Sequence, residues 1–112
     1  MSQNQNFLKL LFAAQAGGAN FTSDWFSLAK VDRAAIEISS AGTLVGTLTL
    51  EATNEEALGK GSKLPDSDYA FNGDDSKVWN LSDIGFPLVR IKWVYTSGAG
   101  SFRATMNEVA DA

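Results

Sequence analysis

The chain has 112 residues, 45% of them hydrophobic and 20% charged, which suits a single globular domain with one modest core. A net charge of −4 argues against a generic nucleic-acid binder, which needs a concentrated basic face to displace counterions. With no cysteine and no histidine, disulfides, thiolate metal sites and the usual proton shuttle near neutral pH are excluded, so the composition points away from an enzyme.

The opening MSQNQNFLKLLF has a polar head without positive charge and an apolar stretch too short for a secretory signal. No run approaches the roughly 20 apolar residues of a membrane span. The chain is therefore expected to be made and used without Sec-type export, as one domain over 1–112 with 1–6 as a flexible or assembly arm. The triplets Asn20-Phe21-Thr22 and Asn80-Leu81-Ser82 match a glycosylation pattern that requires the secretory route, so they carry no weight.

Phe7 to Ala14 reads as a first strand with Leu8, Leu10 and Phe12 on one face, a helical turn being the alternative for so short an apolar run, and Gly17-Gly18 ends it. Ser23 to Leu28 reads as a turn leading into a short element. Arg33 to Ser39 alternates Ala34, Ile36 and Ile38 against Ala35, Glu37 and Ser39. Thr43 to Ala52 sets Leu44, Leu48, Leu50 and Ala52 against a threonine-rich face, with Gly46 marking a bulge or a close backbone approach. The intervening Ser40-Ala41-Gly42 predicts a hairpin turn. From Thr53 to Ser76 the chain is polar and rich in turn-formers, a long connection of the kind that often carries function. Lys77 to Leu81 predicts a short strand around Trp79. Pro87 to Tyr95 places Val89, Ile91, Trp93 and Tyr95 together against Arg90 and Lys92. Ser101 to Glu108 places Phe102, Ala104 and Met106 together, and Thr96-Ser97-Gly98-Ala99-Gly100 between these runs predicts a second hairpin. Six or seven short strands with turns between them imply an all-β, antiparallel β-sandwich (jelly-roll-like) or a small barrel. Ile36, Ile38, Leu48, Leu50, Val89, Ile91, Trp93, Phe102 and Met106 form the expected core.

Several groups bear on chemistry. Asp66, Asp68, Asn72, Asp74 and Asp75 supply the oxygen ligands that calcium prefers, but their spacing matches no defined motif, and a solvated acidic loop is the competing reading. No other cofactor is suggested. Gly59-Lys60-Gly61-Ser62 lacks the first glycine of a phosphate loop at the required distance, which leaves a flexible turn. Among loop aromatics, Tyr69 and Phe71 could stack on a carbohydrate, or they and Trp25 could cover the open ends of the sandwich. Nothing converges on the neighbours Ser23 and Asp24, or Glu55 and Glu56, that would make either a catalytic pair. Arg90 and Lys92, with Arg103 on the next strand, form either a basic stripe that docks on an acidic partner or ion pairs with Glu37 and Glu51. The first strand has Lys9 as its sole charged guard, which makes Phe7, Lys9 and Leu11 candidate interface residues.

The order of features also carries a resemblance. A Gly-Thr-hydrophobic turn leads into Gly46-Thr47-Leu48-Thr49-Leu50-Glu51-Ala52-Thr53-Asn54. A Trp79 segment follows, then Phe86-Pro87-Leu88-Val89-Arg90-Ile91-Lys92-Trp93 and Ser97-Gly98-Ala99-Gly100-Ser101-Phe102. Over residues 35–106 this is similar to small bacteriophage virion proteins, and it also looks like the discoidin-type sandwich. Discoidin domains are usually longer and often exported with a disulfide, whereas the virion resemblance tolerates the lack of cysteine and of an export signal. That resemblance implies a non-enzymatic virion component of a bacterial virus: a capsid decoration protein, a spike or fibre base, or a tail or connector piece. Its partners would be copies of itself and larger virion proteins, with assembly in the host bacterial cytoplasm. A carbohydrate- or ligand-binding module is the alternative.

Overall fold

The computed structural model of the chain describes residues 4–28, 32–55, 60–82 and 86–111. Residues 1–3 of the expected arm, and Glu56 and Gly59 of the loop candidates, lie outside them. Ten strands form among the described residues: β1 (Asn4–Ala16), β2 (Phe21–Thr22), β3 (Phe26–Ser27), β4 (Arg33–Gly42), β5 (Val45–Thr53), β6 (Ser62–Lys63), β7 (Tyr69–Asn72), β8 (Ser76–Leu81), β9 (Leu88–Ser97) and β10 (Gly100–Asp111). No helix occurs among the described residues.

The strands build two antiparallel sheets. Sheet A has the order β1-β10-β4-β8. In sheet B the central strands are β9 and β5; β2 and β3 both pair with β9, and β6 and β7 both pair with β5. If β2–β3 and β6–β7 are each taken as one broken edge strand, the described residues form an eight-stranded jelly roll: the expected all-β sandwich rather than a small barrel, with more strands than the six or seven expected.

Both expected hairpins are corrected by this topology. β4 and β5 lie in different sheets, and so do β9 and β10. Alternation tells which side chains turn inward, but the inward pattern is the same for either sheet. The turn glycines that permit a tight hairpin serve here as corners that carry the chain across the sandwich. The two corners pack on each other: the Thr43 N–H donates to the Ala99 carbonyl at 2.8 Å. Gly98 has a φ of 90°, and a Cβ there would lie 2.0 Å from the Thr43 carbonyl oxygen.

The core lies between the sheets. The residues expected there, Ile36, Ile38, Leu48, Leu50, Val89, Ile91, Trp93, Phe102 and Met106, are each at most 1% exposed and belong to one cluster. Each large aliphatic side chain buried this fully stabilises the fold by about 1.5–3 kcal/mol. β5 alternates buried and partly buried positions along its whole length. Gly46 meets both expectations placed on it: the register shifts between Val45 and Gly46, and a Cβ there would come 2.5 Å from the Trp93 ring. Glycine therefore makes the space in which the indole lies. The Trp93 indole N–H donates to the Gly17 carbonyl at 2.8 Å and that of Trp79 to the Ser67 carbonyl at 2.9 Å, so neither buried donor is unpaired.

Candidate functional site

The acidic loop candidates do not converge. Asp66 occupies a turn with a φ of 59°. Asp68 accepts a hydrogen bond from the Thr49 hydroxyl at 2.5 Å and pairs with Lys63. The Lys63 ammonium, followed by the Thr49 hydroxyl, holds the Asp68 carboxyl below its usual range. Asp74 accepts the Gly42 N–H at 2.7 Å, and Asp75 accepts the Tyr69 hydroxyl at 3.1 Å and the Ser76 N–H at 2.8 Å. β7 intervenes between Asp68 and the Asp74–Asp75 turn, so these carboxylates serve separate local contacts. Among the described residues, no group of three or more metal-binding side chains forms.

The aromatic pair of the ligand-binding alternative divides. Phe71 is 1% exposed and sits edge-on to Phe102 at 5.7 Å between ring centres. A stacking platform needs an open ring face, so Phe71 is a core residue. Tyr69 is partly buried, edge-on to Phe71, with the Lys77 ammonium 5.1 Å from its ring centre. Its hydrogen bond to Asp75 raises the phenol pKa above the ordinary value of 10.0. Tyr69 thus ties β7, on the edge of sheet B, to the start of β8, on the edge of sheet A.

The expected basic stripe is broken by topology. β9 lies in sheet B and β10 in sheet A, so the outward side chains Arg90 and Lys92 point away from outward Arg103. Arg103 is exposed on the outer face of sheet A, in register with Ser39. Arg90 instead forms an ion pair with Glu51, with Nε 2.8 Å from Oε1 and side chains only 18% and 12% exposed. The Arg90 guanidinium lies 4.2 Å from the Trp25 ring centre. A Cβ at Gly61 would come 2.8 Å from Trp25, so this glycine lets the chain entering β6 pass close to the indole. The turn once compared with a phosphate loop leads into that short strand and not into a helix. Lys92 is exposed and lies in register with Thr49 and Thr22.

The edges of sheet A present a different surface. β1 is an edge strand of 13 residues, and Asn4–Asn6 of the expected arm already belong to it, opposite Val109–Asp111. Cross-strand partners share a face. Leu8 and Leu10, in register with Asn107 and Thr105, therefore lie on the outer face of the sheet. Phe7 and Lys9, in register with Glu108 and Met106, lie on the inner one. The register shifts between Leu10 and Phe12, and both Leu11 and Phe12 pack partly buried against the core. Of the three expected interface residues, Leu11 is thus largely a packing residue. Phe7 is 50% exposed, Leu8 73% and Leu10 55%. Lys9 turns to Glu108, which is 6% exposed, and pairs with it. The one cation that guards this edge is thereby neutralised within its own chain.

β8 is the opposite edge. Its Val78 is 44% exposed, which makes four of the five exposed large hydrophobic side chains among the described residues members of the two edge strands of sheet A. Val78 was not among the sequence candidates, although its place opposite inward Trp79 in an alternating strand marks it as outward. A cavity of about 300 Å³ runs beside β8, floored by Trp79 and Leu81 and walled by Leu50, Leu64 and Pro65. A second hollow, of about 520 Å³, lies on the outer face of sheet A around Ala35, Asn80, Asn107 and Val109.

No family model matches the chain, and no curated protein matches it. Solved structures do. The SPBc2 prophage-derived protein YomS is similar over 98% of this chain and 96% of its own, at 15% identity and a TM-score of 0.67. The PBSX exported protein XepA is similar over 96% of this chain, at 12% identity and a TM-score of 0.66. A structure of the infectious bursal disease virus Gt strain is similar over 96% of this chain, at 11% identity and a TM-score of 0.61. The chain spans 38% and 32% of the latter two. None of these three is named as a discoidin-type domain. At such identities the matches show the fold: an antiparallel β-sandwich that other chains adopt across nearly all of this one.

Proposed function

We propose that this chain is a non-enzymatic structural component of a bacterial virus, acting by self-assembly and by docking on larger virion proteins. The observation that carries the reading is the concentration of exposed apolar side chains on the two edges of sheet A. Natural monomers blunt long edge strands with charge, proline or irregularity, and β1 has its lysine turned inward and its register shifts confined to residues 10–15. The comparisons add support of a second kind: one protein named as prophage-derived and one virus structure share the fold. In this reading the chain folds in the bacterial cytoplasm and joins the particle before lysis. The carbohydrate-binding alternative is less favoured, since Phe71 is 1% exposed and offers no open ring face for stacking.

The test is co-purification. The chain is expected to band with intact particles of the virus that encodes it in a density gradient, at a fixed ratio to the major shell protein. Recovery only as free protein at the top of the gradient would overturn the reading.

A further inference from the structure

We infer that copies of this chain join head to tail, with the β1 edge of one copy adding to the β8 edge of the next and continuing sheet A. The inference rests on the assembly reading above and names its contact. Three observations select this pairing. The first is direction. Neighbours in sheet A are antiparallel throughout, so β1 and β4 run one way and β10 and β8 the other. A second copy displaced across the sheet, without being turned over, therefore presents its β1 antiparallel to β8.

The second is the state of the four edges. Sheet B ends in short pieces of two residues each at β2, β3 and β6 and four at β7, a natural form of edge protection. Sheet A ends in the 13-residue β1, regular from Asn4 to Leu10, and in the six-residue β8. Among the described residues, no strand pairs with the outer side of either.

The third is complementarity. All five residues 77–81 of β8 line the cavity of about 300 Å³, so it follows the free edge of the strand. Extended peptides add to such edges through main-chain hydrogen bonds, and alternate side chains enter pockets beside them. With Leu10 opposite Val78, the outer face gains an apolar contact between two exposed side chains. The same register sets Phe7 opposite Leu81 at the cavity and Lys9 opposite Trp79, which keeps Lys9 from facing Lys77. Two β1 edges meeting symmetrically fit less well. Whether centred on Lys9 or on Leu8, such a contact leaves Val78 and the cavity beside β8 unused. A head-to-tail contact of this kind builds a ring or an open filament.

The absence of cysteine makes the test direct. Opposed residues in an antiparallel pair have Cβ atoms about 4.5–5.5 Å apart, close to disulfide reach. Within one copy, three strand spacings of sheet A separate positions 10 and 78 by about 14 Å, so no internal bridge can form. On mild oxidation the double variant L10C/V78C is expected to give a ladder of covalent oligomers. A mixture of the single variants L10C and V78C should stop at dimers, and each single variant alone should stay monomeric on a denaturing gel. The variant L8C/V78C gives the ladder in its place if the register is slipped by two residues, which preserves the pairing. Dimers from L10C or L8C alone would show a symmetric β1 contact and overturn the inference. Unsubstituted protein that sediments above monomer mass while neither double variant forms a ladder would overturn the inference and leave the assembly reading standing. A strict monomer without a ladder would end both.

Discussion

Replacing Lys9 with methionine removes the ammonium from the β1 edge but keeps the length of the side chain. Glu108 is 6% exposed, lies on the inner face of sheet A and has Lys9 as its ion-pair partner. Removing one member of a buried pair leaves an uncompensated charge, which costs about 3–5 kcal/mol when both groups are buried. Lys9 is 49% exposed, so water screens the pair from one side and the cost falls to about 1–3 kcal/mol. The double variant K9M/E108L removes both charges and should recover most of that loss, because a buried ion pair replaced by apolar groups of similar size is often neutral or better. Urea unfolding of the parent, K9M, E108L and K9M/E108L, run at concentrations below the onset of association, gives the coupling directly. If K9M lies within about 0.5 kcal/mol of the parent, the pair is only a surface contact and the account of Lys9 as a neutralised guard fails.

In the core, Ile91→Ala or Leu50→Ala should each cost about 2–5 kcal/mol in denaturant unfolding, since both side chains are 0% exposed; losses below about 0.5 kcal/mol would refute the face assignment. Gly46→Ala should cost about 1–3 kcal/mol and alter the near-ultraviolet circular dichroism of tryptophan, because its methyl would meet the Trp93 ring and the Val94 carbonyl; an unchanged spectrum and stability would show that the indole has room to move. The Tyr69 phenol is raised above 10.0 by its hydrogen bond to Asp75, so the folded state favours its protonated form. The stability from that contact is fully present below pH 10 and is lost as pH rises through the folded value. The absorbance difference between the parent and Tyr69→Phe should therefore titrate above pH 10, and a midpoint at or below 10 would contradict the hydrogen bond.

Much of the core was legible in the sequence because strand side chains alternate with a period of two. Ile36, Ile38, Leu48, Leu50, Val89, Ile91 and Trp93 could be placed inward from that period alone. The partition into sheets was not legible. An inward pattern looks the same in either layer, and the glycines at 42, 98 and 100 suit a hairpin and a corner equally well. That one ambiguity produced both false hairpins, and through them the false stripe of Arg90, Lys92 and Arg103. A bulge parts Phe12 from Leu8 and Leu10, with which it was expected to share a face, because one extra residue moves every later side chain to the other face; Leu11, two residues on from inward Lys9, packs inward beside it. Phe71 misled for a related reason. It stands in a polar stretch, and its burial comes from pairing between β7 and β5, which puts Phe71 in register with Gly46. The edge character of β1 could be anticipated from its single charged residue, whereas the matching edge at β8 needed the strand order.

The most direct measurement is sedimentation of the unsubstituted chain over a wide concentration range, beside a variant carrying Leu8→Lys and Leu10→Lys. Both substitutions fall on exposed positions, so the fold should survive them. The account predicts a mass that climbs above the 12.0 kDa of one chain as concentration rises, and a variant that stays at one chain throughout. A parent that remains at 12.0 kDa at every concentration, or a variant that assembles as well as the parent, would contradict it.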